Sequence, residues 1–268
     1  MKNNNYKREL ELAQHLAVEA GNAVLPIYYG TADVTTKADN TPVTDADVLA
    51  NRIIQEGIRQ AFPLDAIVSE ELEAIEGKNR CWYIDPIDGT RGFIEHTDQF
   101  AVHIGLAVQE KAVLGIVYKP VAREMYFAVK DEGAYRLSPF GDKRQLQVQK
   151  HTGLIAAMDK DNVLSARYQE LAKRLGLSRS IISGSEGLRV MKVAEGIADV
   201  HFNLEGSHCS TWDICAPQII AEEAGAYVCF TDGQPIMYLE QRKVRKTFVV
   251  ANSKTLADKV SEMVERMS

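Results

Sequence analysis

Nothing in this chain of 268 residues is apolar for anywhere near the roughly 20 residues that cross a bilayer, so a helical membrane span is excluded. Cysteine is scarce: Cys81, Cys209, Cys215 and Cys229 form no C-x-x-C pair, and reduced, buried thiols of a cytosolic protein are expected. Six histidines are scattered without metal-ligand spacing. Positive charge is in deficit, with 31 Lys and Arg against 37 Asp and Glu and a net charge of −6. No basic aromatic face is present either, so a general nucleic-acid binder is excluded. No G-K-[ST] follows a glycine-rich turn, which removes a Walker loop. No Ser-His-Asp or Cys-His arrangement and no internal repeat or low-complexity tract is visible. Met1 to Asn5 run straight into a polar helix with no signal-peptide core. The expected location is therefore cytoplasmic, with peripheral association at the inner membrane left open.

What is present is an ordinary globular composition, 46% hydrophobic and 25% charged, long enough for one large domain or two modest ones. The chain is organised around Cys81-Trp82-Tyr83-Ile84-Asp85-Pro86-Ile87-Asp88-Gly89-Thr90-Arg91-Gly92-Phe93. Trp82 to Ile84 read as a buried strand, because aromatic and β-branched residues suit a packed pleated surface. Pro86 has no N–H to give a ladder, so the strand is expected to stop there. Asp85 then ends the strand and Asp88 lies on the turn beyond. Gly89 allows close backbone approach, and a helix starting after Thr90 would aim free N–H groups at the same spot. Two carboxylates that converge do not both stay ionised without a cation. Hard oxygen ligands at a phosphate-sized site point to Mg²⁺. The plain alternative is an Asp-rich turn. Strand, Pro, two acids, Gly and Thr in one run favour the metal reading.

Around this stretch, residues 6 to 29 form an amphipathic helix with Leu10, Ala13, Leu16, Ala20, Val24 and Ile27 on one face, ended by Pro26 and Gly30. That face is core or a subunit contact. A polar loop with Lys37, Ala38, Asp39 and Asn40 follows. Thr44 then caps a helix to about Phe62, with Ile53, Ile54 and Ile58 inward. Asp45 and Asp47 in its first turn also suit the helix dipole, which is their structural explanation. A strand from Ala66 to Ser69 delivers Glu70 and Glu71. Apolar runs at 100–108, 113–120, 124–129 and 134–137 read as a meander, so the sheet is largely antiparallel, and 138–152 is the expected boundary.

Beyond it come a strand at Leu154, a helix at 168–175 and a strand at Ile181, then Ser183-Gly184-Ser185-Glu186-Gly187 before a helix from Leu188. That entry reads as an ordinary Ser-capped helix start. A strand from Ala198 to Asn203 follows, and Asp213 sits near the start of a helix running to Gly225. Strands at 227–230 and 248–251 and a closing helix from Thr255 complete the chain. The four basic residues of Gln241 to Lys246 read as a solvated loop.

Asp85-Pro86-Ile87-Asp88-Gly89-Thr90 resembles the first signature of the lithium-sensitive, Mg²⁺-dependent phosphatases: inositol monophosphatases, fructose-1,6-bisphosphatases and 3′(2′),5′-bisphosphate nucleotidases. Trp212-Asp213-Ile214-Cys215-Ala216-Pro217 is similar to the second signature, Val68-Ser69-Glu70-Glu71 to a third, and Val43-Thr44 with Asp47 to a V-T-x-x-D element. The resemblance covers nearly the whole chain, in order. It implies an α+β fold, layered α/β/α/β/α with mixed, largely antiparallel sheets, in subdomains of residues 1–150 and 151–268 around a cleft. It implies Glu70, Asp85, the Ile87 carbonyl, Asp88 and Asp213 as ligands for two or three Mg²⁺ ions. Thr90, paired with Asp47, and Glu70 would orient the attacking water, and the N–H groups of Gly89 and Thr90 would hold phosphate oxygens beside Asp88 and Asp213.

For the substrate, Thr90-Arg91-Gly92-Phe93 differs from the T-x-N-F of inositol monophosphatases and resembles the nucleotidases, as do Lys37-Ala38-Asp39 and Gly233-Gln234-Pro235-Ile236-Met237-Tyr238. Arg91 could pair with a second phosphate, and the place of Ser185 and Arg189 contributes to nucleotide binding in the family. The implied activity is removal of the 3′-phosphate of adenosine 3′,5′-bisphosphate, or its sulfated form, in sulfur metabolism. An inositol monophosphatase and a catalytically silent phosphate-ligand-binding protein are the alternatives, and a homodimer is compatible with either. Leu204 to Thr211 match no subfamily.

Overall fold

The computed structural model describes residues 6–30, 34–36, 42–77, 79–203, 209–238 and 247–266. Helix α1 (Lys7–Tyr28) buries Ala13, Leu16, Ala17, Ala20 and Val24. It does not end at Pro26: only the N–H of residue 26 is missing from the ladder, and Tyr29 N still bonds Leu25 O at 3.0 Å. A short hairpin, β1 (Val34–Thr36) and β2 (Pro42–Thr44), leads into α2 (Asp45–Ala61), which packs on α1. Strands β3 (Ala66–Ser69) and β4 (Arg80–Asp88) run parallel.

β4 continues through Pro86, against the expectation that it stops there. Opposite it, β5 (Ala101–Val108) pairs Asp85 with His103 but Asp88 with Ala101. Three steps on one strand face two on the other, so a bulge absorbs the residue that cannot donate. Gly89 follows in the left-handed region at φ 90°, and α3 (Thr90–Ile94) turns the chain away. Strands β6 (Lys111–Lys119), β7 (Glu124–Val129) and β8 (Gly133–Leu137) complete the expected meander, and a short β9 (Lys143–Gln145) extends it into the stretch read as a boundary. The sheet order is β3-β4-β5-β6-β7-β8-β9.

The second sheet is built from β10 (Leu154–Met158), β11 (Leu177–Ile182), β12 (Val200–Phe202), β13 (Tyr227–Phe230) and β14 (Phe248–Ala251), in the order β11-β10-β12-β14-β13. Between them run α4 (Lys160–Leu164), α5 (Ala166–Leu175), α6 (Glu186–Ala194) and α7 (Thr211–Glu223), and α8 (Lys254–Glu265) closes the chain. β10 is parallel to both neighbours, and β14 is antiparallel to both of its own.

Side-chain alternation assigns the layers. Trp82, Ile84, Ile104, Leu106, Leu114 and Ile116 face α1 and α2. Tyr83, Val117 and Tyr126 face the other way, onto the apolar residues of α6 and α7, which also cover Ile155, Ala157 and Val250 of the second sheet. The far face of that sheet packs Met158, Phe202 and Val249 against Tyr168 and Leu171 of α5 and Val260 of α8. The result is the α/β/α/β/α stack that the motifs implied. α7 lies close on the first sheet because Gly105 and Gly115 are register partners there. A Cβ on Gly105 would stand 2.7 Å from Cys215 Sγ, and one on Gly115 would stand 2.4 Å from the Ala216 carbonyl oxygen.

Candidate active site

The bulge at the end of β4 and the first turn of α7 converge. Carboxylate oxygens of Asp85, Asp88 and Asp213 lie within 4.8 Å of one another. Asp85 and Asp88 are buried and Asp213 is half-buried. Local chemistry sets each one. Asp85 Oδ1 accepts from Ile87 N at 3.1 Å, which folds the chain over the bulge. Asp213 closes a capping box on α7: the Ser210 N–H donates to its carboxylate, while the Ser210 side chain serves the Asp213 backbone.

The electrostatics differ between the three. Burial, then the charges of Glu70, Asp88 and Asp213, push Asp85 well above the usual carboxylate range. Burial, then Asp88 and Glu70, push Asp213 the same way, with the hydrogen bond to Asp85 and the Ser210 N–H opposing. A proton shared by Asp85 and Asp213 relieves this repulsion, and a divalent cation would relieve it better. Asp88 behaves oppositely. Burial alone would raise it, but His103, Ser185 and the Gly187 N–H hold it below its ordinary value. His103 Nε2 is 3.1 Å from Asp88 Oδ2, Gly187 N donates at 2.7 Å, Glu186 N donates to Oδ1 at 3.1 Å, and the Ser185 hydroxyl donates as well.

Glu70 follows β3, and its N–H bonds the Ile84 carbonyl at 3.2 Å, so it stands beside β4 one step short of Asp85. Asp47 is fully buried in the first turn of α2. The Thr90 hydroxyl lies 3.4 Å from Asp47 Oδ1 and 3.3 Å from the Ile87 carbonyl, a single proton shared over two long contacts. Gly89 precedes Thr90 with no room for a Cβ, which would meet the Gln99 carbonyl at 2.5 Å. The structure thus brings Asp47, Glu70, Asp85, Ile87, Asp88, Gly89, Thr90 and Asp213 to one place.

The three remaining expected contacts sit differently. Arg91 is exposed on α3, where it bonds Glu95 and Asp161, each at 3.0 Å. Ser185 is fully buried, its hydroxyl spent on Asp88 and on capping the Leu188 N–H at 3.2 Å. Arg189 is buried as well, donating to the Ser183 and Gly184 carbonyls at 3.0 and 3.2 Å. Sequence reasoning missed His103, Glu186 and Gly187. A histidine inside the apolar run of β5 was the one available signal. Lys37 to Asn40, Leu204 to His208 and Gln241 to Lys246 lie outside the described residues. A cavity of about 870 Å³ lies further back on the same sheet face, lined by Val68, Ile75, Cys81, Tyr83 and Tyr238 among others, and contains none of the clustered acids.

Among the described residues no helix is long and apolar enough to cross a membrane. Residues 5–267 match the family described as "Inositol monophosphatase family". The 3′(2′),5′-bisphosphate nucleotidase CysQ of Escherichia coli (strain K12) is 34% identical over 235 residues, 85% of this chain and 93% of that protein. The structure of an IMPase from Thermotoga maritima has a TM-score of 0.80 at 26% identity, covering 97% of this chain and 100% of that one. CysQ from Bacteroides thetaiotaomicron has a TM-score of 0.78 at 28% identity, over 93% of this chain and 99% of that one.

Proposed function

We propose that this chain, which belongs to the inositol monophosphatase family, hydrolyses the 3′-phosphate of adenosine 3′,5′-bisphosphate to give AMP and phosphate. The observation that carries the reading is the cluster of Asp85, Asp88 and Asp213, together with 34% identity to a 3′(2′),5′-bisphosphate nucleotidase. Three carboxylates within 4.8 Å, two of them pushed toward protonation, are the donor set a hard divalent cation needs. Glu70, Asp85, the Ile87 carbonyl, Asp88 and Asp213 would hold two or three Mg²⁺ ions, in a cleft between residues 1–150 and 151–268. When bound, they would supply charge neutralisation and a water of lowered pKa.

The chain's own groups do the rest. Asp47 would accept from the Thr90 hydroxyl, which it faces at 3.4 Å, so that Thr90 and Glu70 orient the attacking water as general base. The left-handed turn at Gly89 would let the backbone N–H groups of Gly89 and Thr90 hold phosphate oxygens. Arg91 would meet the second phosphate by exchanging Glu95 or Asp161 for it. Ser185 and Arg189, expected as substrate contacts, are buried: Ser185 donates to Asp88, and Arg189 donates to the Ser183 and Gly184 carbonyls. We place this enzyme in the cytoplasm, in sulfur metabolism, with lithium sensitivity.

The second reading, inositol monophosphatase, is favoured by the fold match to the Thermotoga maritima IMPase. A silent binding protein is disfavoured because Glu70, Asp85, Asp88, Thr90 and Asp213 are all present. Phosphate release with Mg²⁺, from adenosine 3′,5′-bisphosphate and inositol 1-phosphate at equal concentration, decides between them. Preference for the nucleotide is expected. Preference for the inositol phosphate would overturn the substrate and leave the metal chemistry, and release from neither would favour the silent binder.

A further inference from the structure

Asp88 belongs to the first sheet, yet three of the groups that hold it come from the start of α6. The Ser185 hydroxyl, Glu186 N and Gly187 N all donate to its carboxylate. Three donors on consecutive residues can aim at one carboxylate only if the turn that carries them is fixed in place. The Glu186 side chain is buried among partners of its own. There its carboxylate accepts from Arg189, one turn along α6, and faces His201 Nε2 on β12. All three are at least nine-tenths buried, with exposures of 8% for Glu186, 7% for Arg189 and 1% for His201.

Each partner ties the turn to something else. Arg189 donates to the carbonyls of Ser183 and Gly184, the two residues just ahead of the cap, at 3.0 and 3.2 Å. His201 Nδ1 faces the Ala157 carbonyl of β10 at 2.8 Å. The turn from Ser183 to Gly187 is thus clamped to β10 and β12 through a single carboxylate. On the opposite side, Gly187 leaves room for His103: a Cβ there would stand 2.2 Å from His103 Nε2.

A buried charged cluster in an enzyme is often a matter of stability alone, and replacing such a cluster by apolar residues is frequently neutral. This one differs in its geometry, because the backbone N–H of the central acid is itself a donor to the carboxylate of the site. We propose that Glu186 is a positioning residue: through Arg189 and His201 it holds the Ser185–Gly187 turn so that Asp88 presents its carboxylate to the catalytic cation. The inference rests on the reading of Asp88 as a metal ligand.

The test uses the full chain. Glu186→Gln and Glu186→Asp are compared with the native protein in three measurements. They are Mn²⁺ binding followed by electron paramagnetic resonance, the Mg²⁺ concentration giving half-maximal phosphate release, and the melting temperature in chelator. Partners of metal ligands typically set affinity by about 10- to 100-fold, and a loss of that size in Mn²⁺ binding is expected for Glu186→Gln. The half-maximal Mg²⁺ concentration rises in parallel, the KM for substrate at saturating Mg²⁺ stays near native, and Glu186→Asp falls between. Unchanged Mn²⁺ affinity in a folded Glu186→Gln protein overturns the inference, as does a loss seen only where the variant has begun to melt. Failure of the native protein to bind Mn²⁺ would instead overturn the reading of the site itself.

Discussion

At Asp85, burial and three neighbouring acids act in one direction. Asp213 meets the same pressure, so in the cation-free protein both favour the protonated form. An acid raised in the folded state adds stability below its ordinary value of 3.8 and loses it as pH rises through the raised one. A bound cation takes the place of the proton. The gain in melting temperature on adding Mg²⁺ is therefore expected to grow with pH, from the ordinary carboxylate range upward. Melts with Mg²⁺ and with chelator across that range check this, and a gain independent of pH would refute it. Asp85→Asn removes one acid from the cluster. It is expected to raise stability in chelator, because the repulsion among the remaining acids is relieved, while Mg²⁺-dependent activity is lost. At this scale the convergence of the two Asp of β4 with Asp213 was legible, because each lies in a short run of a recognisable motif. The donors around Asp88 were not, because Ser185 lies 97 residues away from it and its neighbourhood reads as an ordinary capped helix start.

The element that places Asp213 is α7, and the slot that receives α7 is the glycine pair on β5 and β6. Gly115→Ala would set a methyl group 2.4 Å from the Ala216 carbonyl oxygen, a contact that backbone must move to relieve. Overpacking of this kind costs about 1–3 kcal/mol, and here the displaced helix carries a site residue one turn away. A lower urea midpoint together with lower activity is expected, and a midpoint equal to native would mean that the slot is looser than described. Helices and strands were mostly legible from periodicity, including the full meander. β4 was the exception, since a proline in a strand reads as a stop until the partner strand is known. The register of β4 against β5 turns that stop into the bulge that aims Asp85 and Asp88. The close approach at Gly105 and Gly115 was hidden for the same reason: strand partners across a sheet are invisible along the chain.

At the scale of the whole molecule, α6 and α7 form a layer that both sheets share. Tyr83 and Val117 from one and Ile155 and Val250 from the other pack into one apolar cluster with Met191, Cys215 and Ile219. The helix layer is covered on both sides only when both sheets are in place. A single calorimetric unfolding transition, with equal calorimetric and van't Hoff enthalpies, is expected in chelator. Two resolved transitions would mean that the shared layer belongs energetically to one sheet only. The layer order was legible from the family motifs, but not which helices are shared, since that depends on contacts between residues far apart in the chain.

The hold on Asp88 also imposes an order on synthesis. Asp85, Asp88 and Thr90 leave the ribosome early, while Ser185, Glu186 and Gly187 follow about one hundred positions later and Asp213 later still. A nascent chain that has just completed β9 carries the β4 acids with neither their cradle nor their third partner. The centre is assembled only once Asp213 has been translated, so a product truncated before it retains the signature motif and lacks the three-acid geometry.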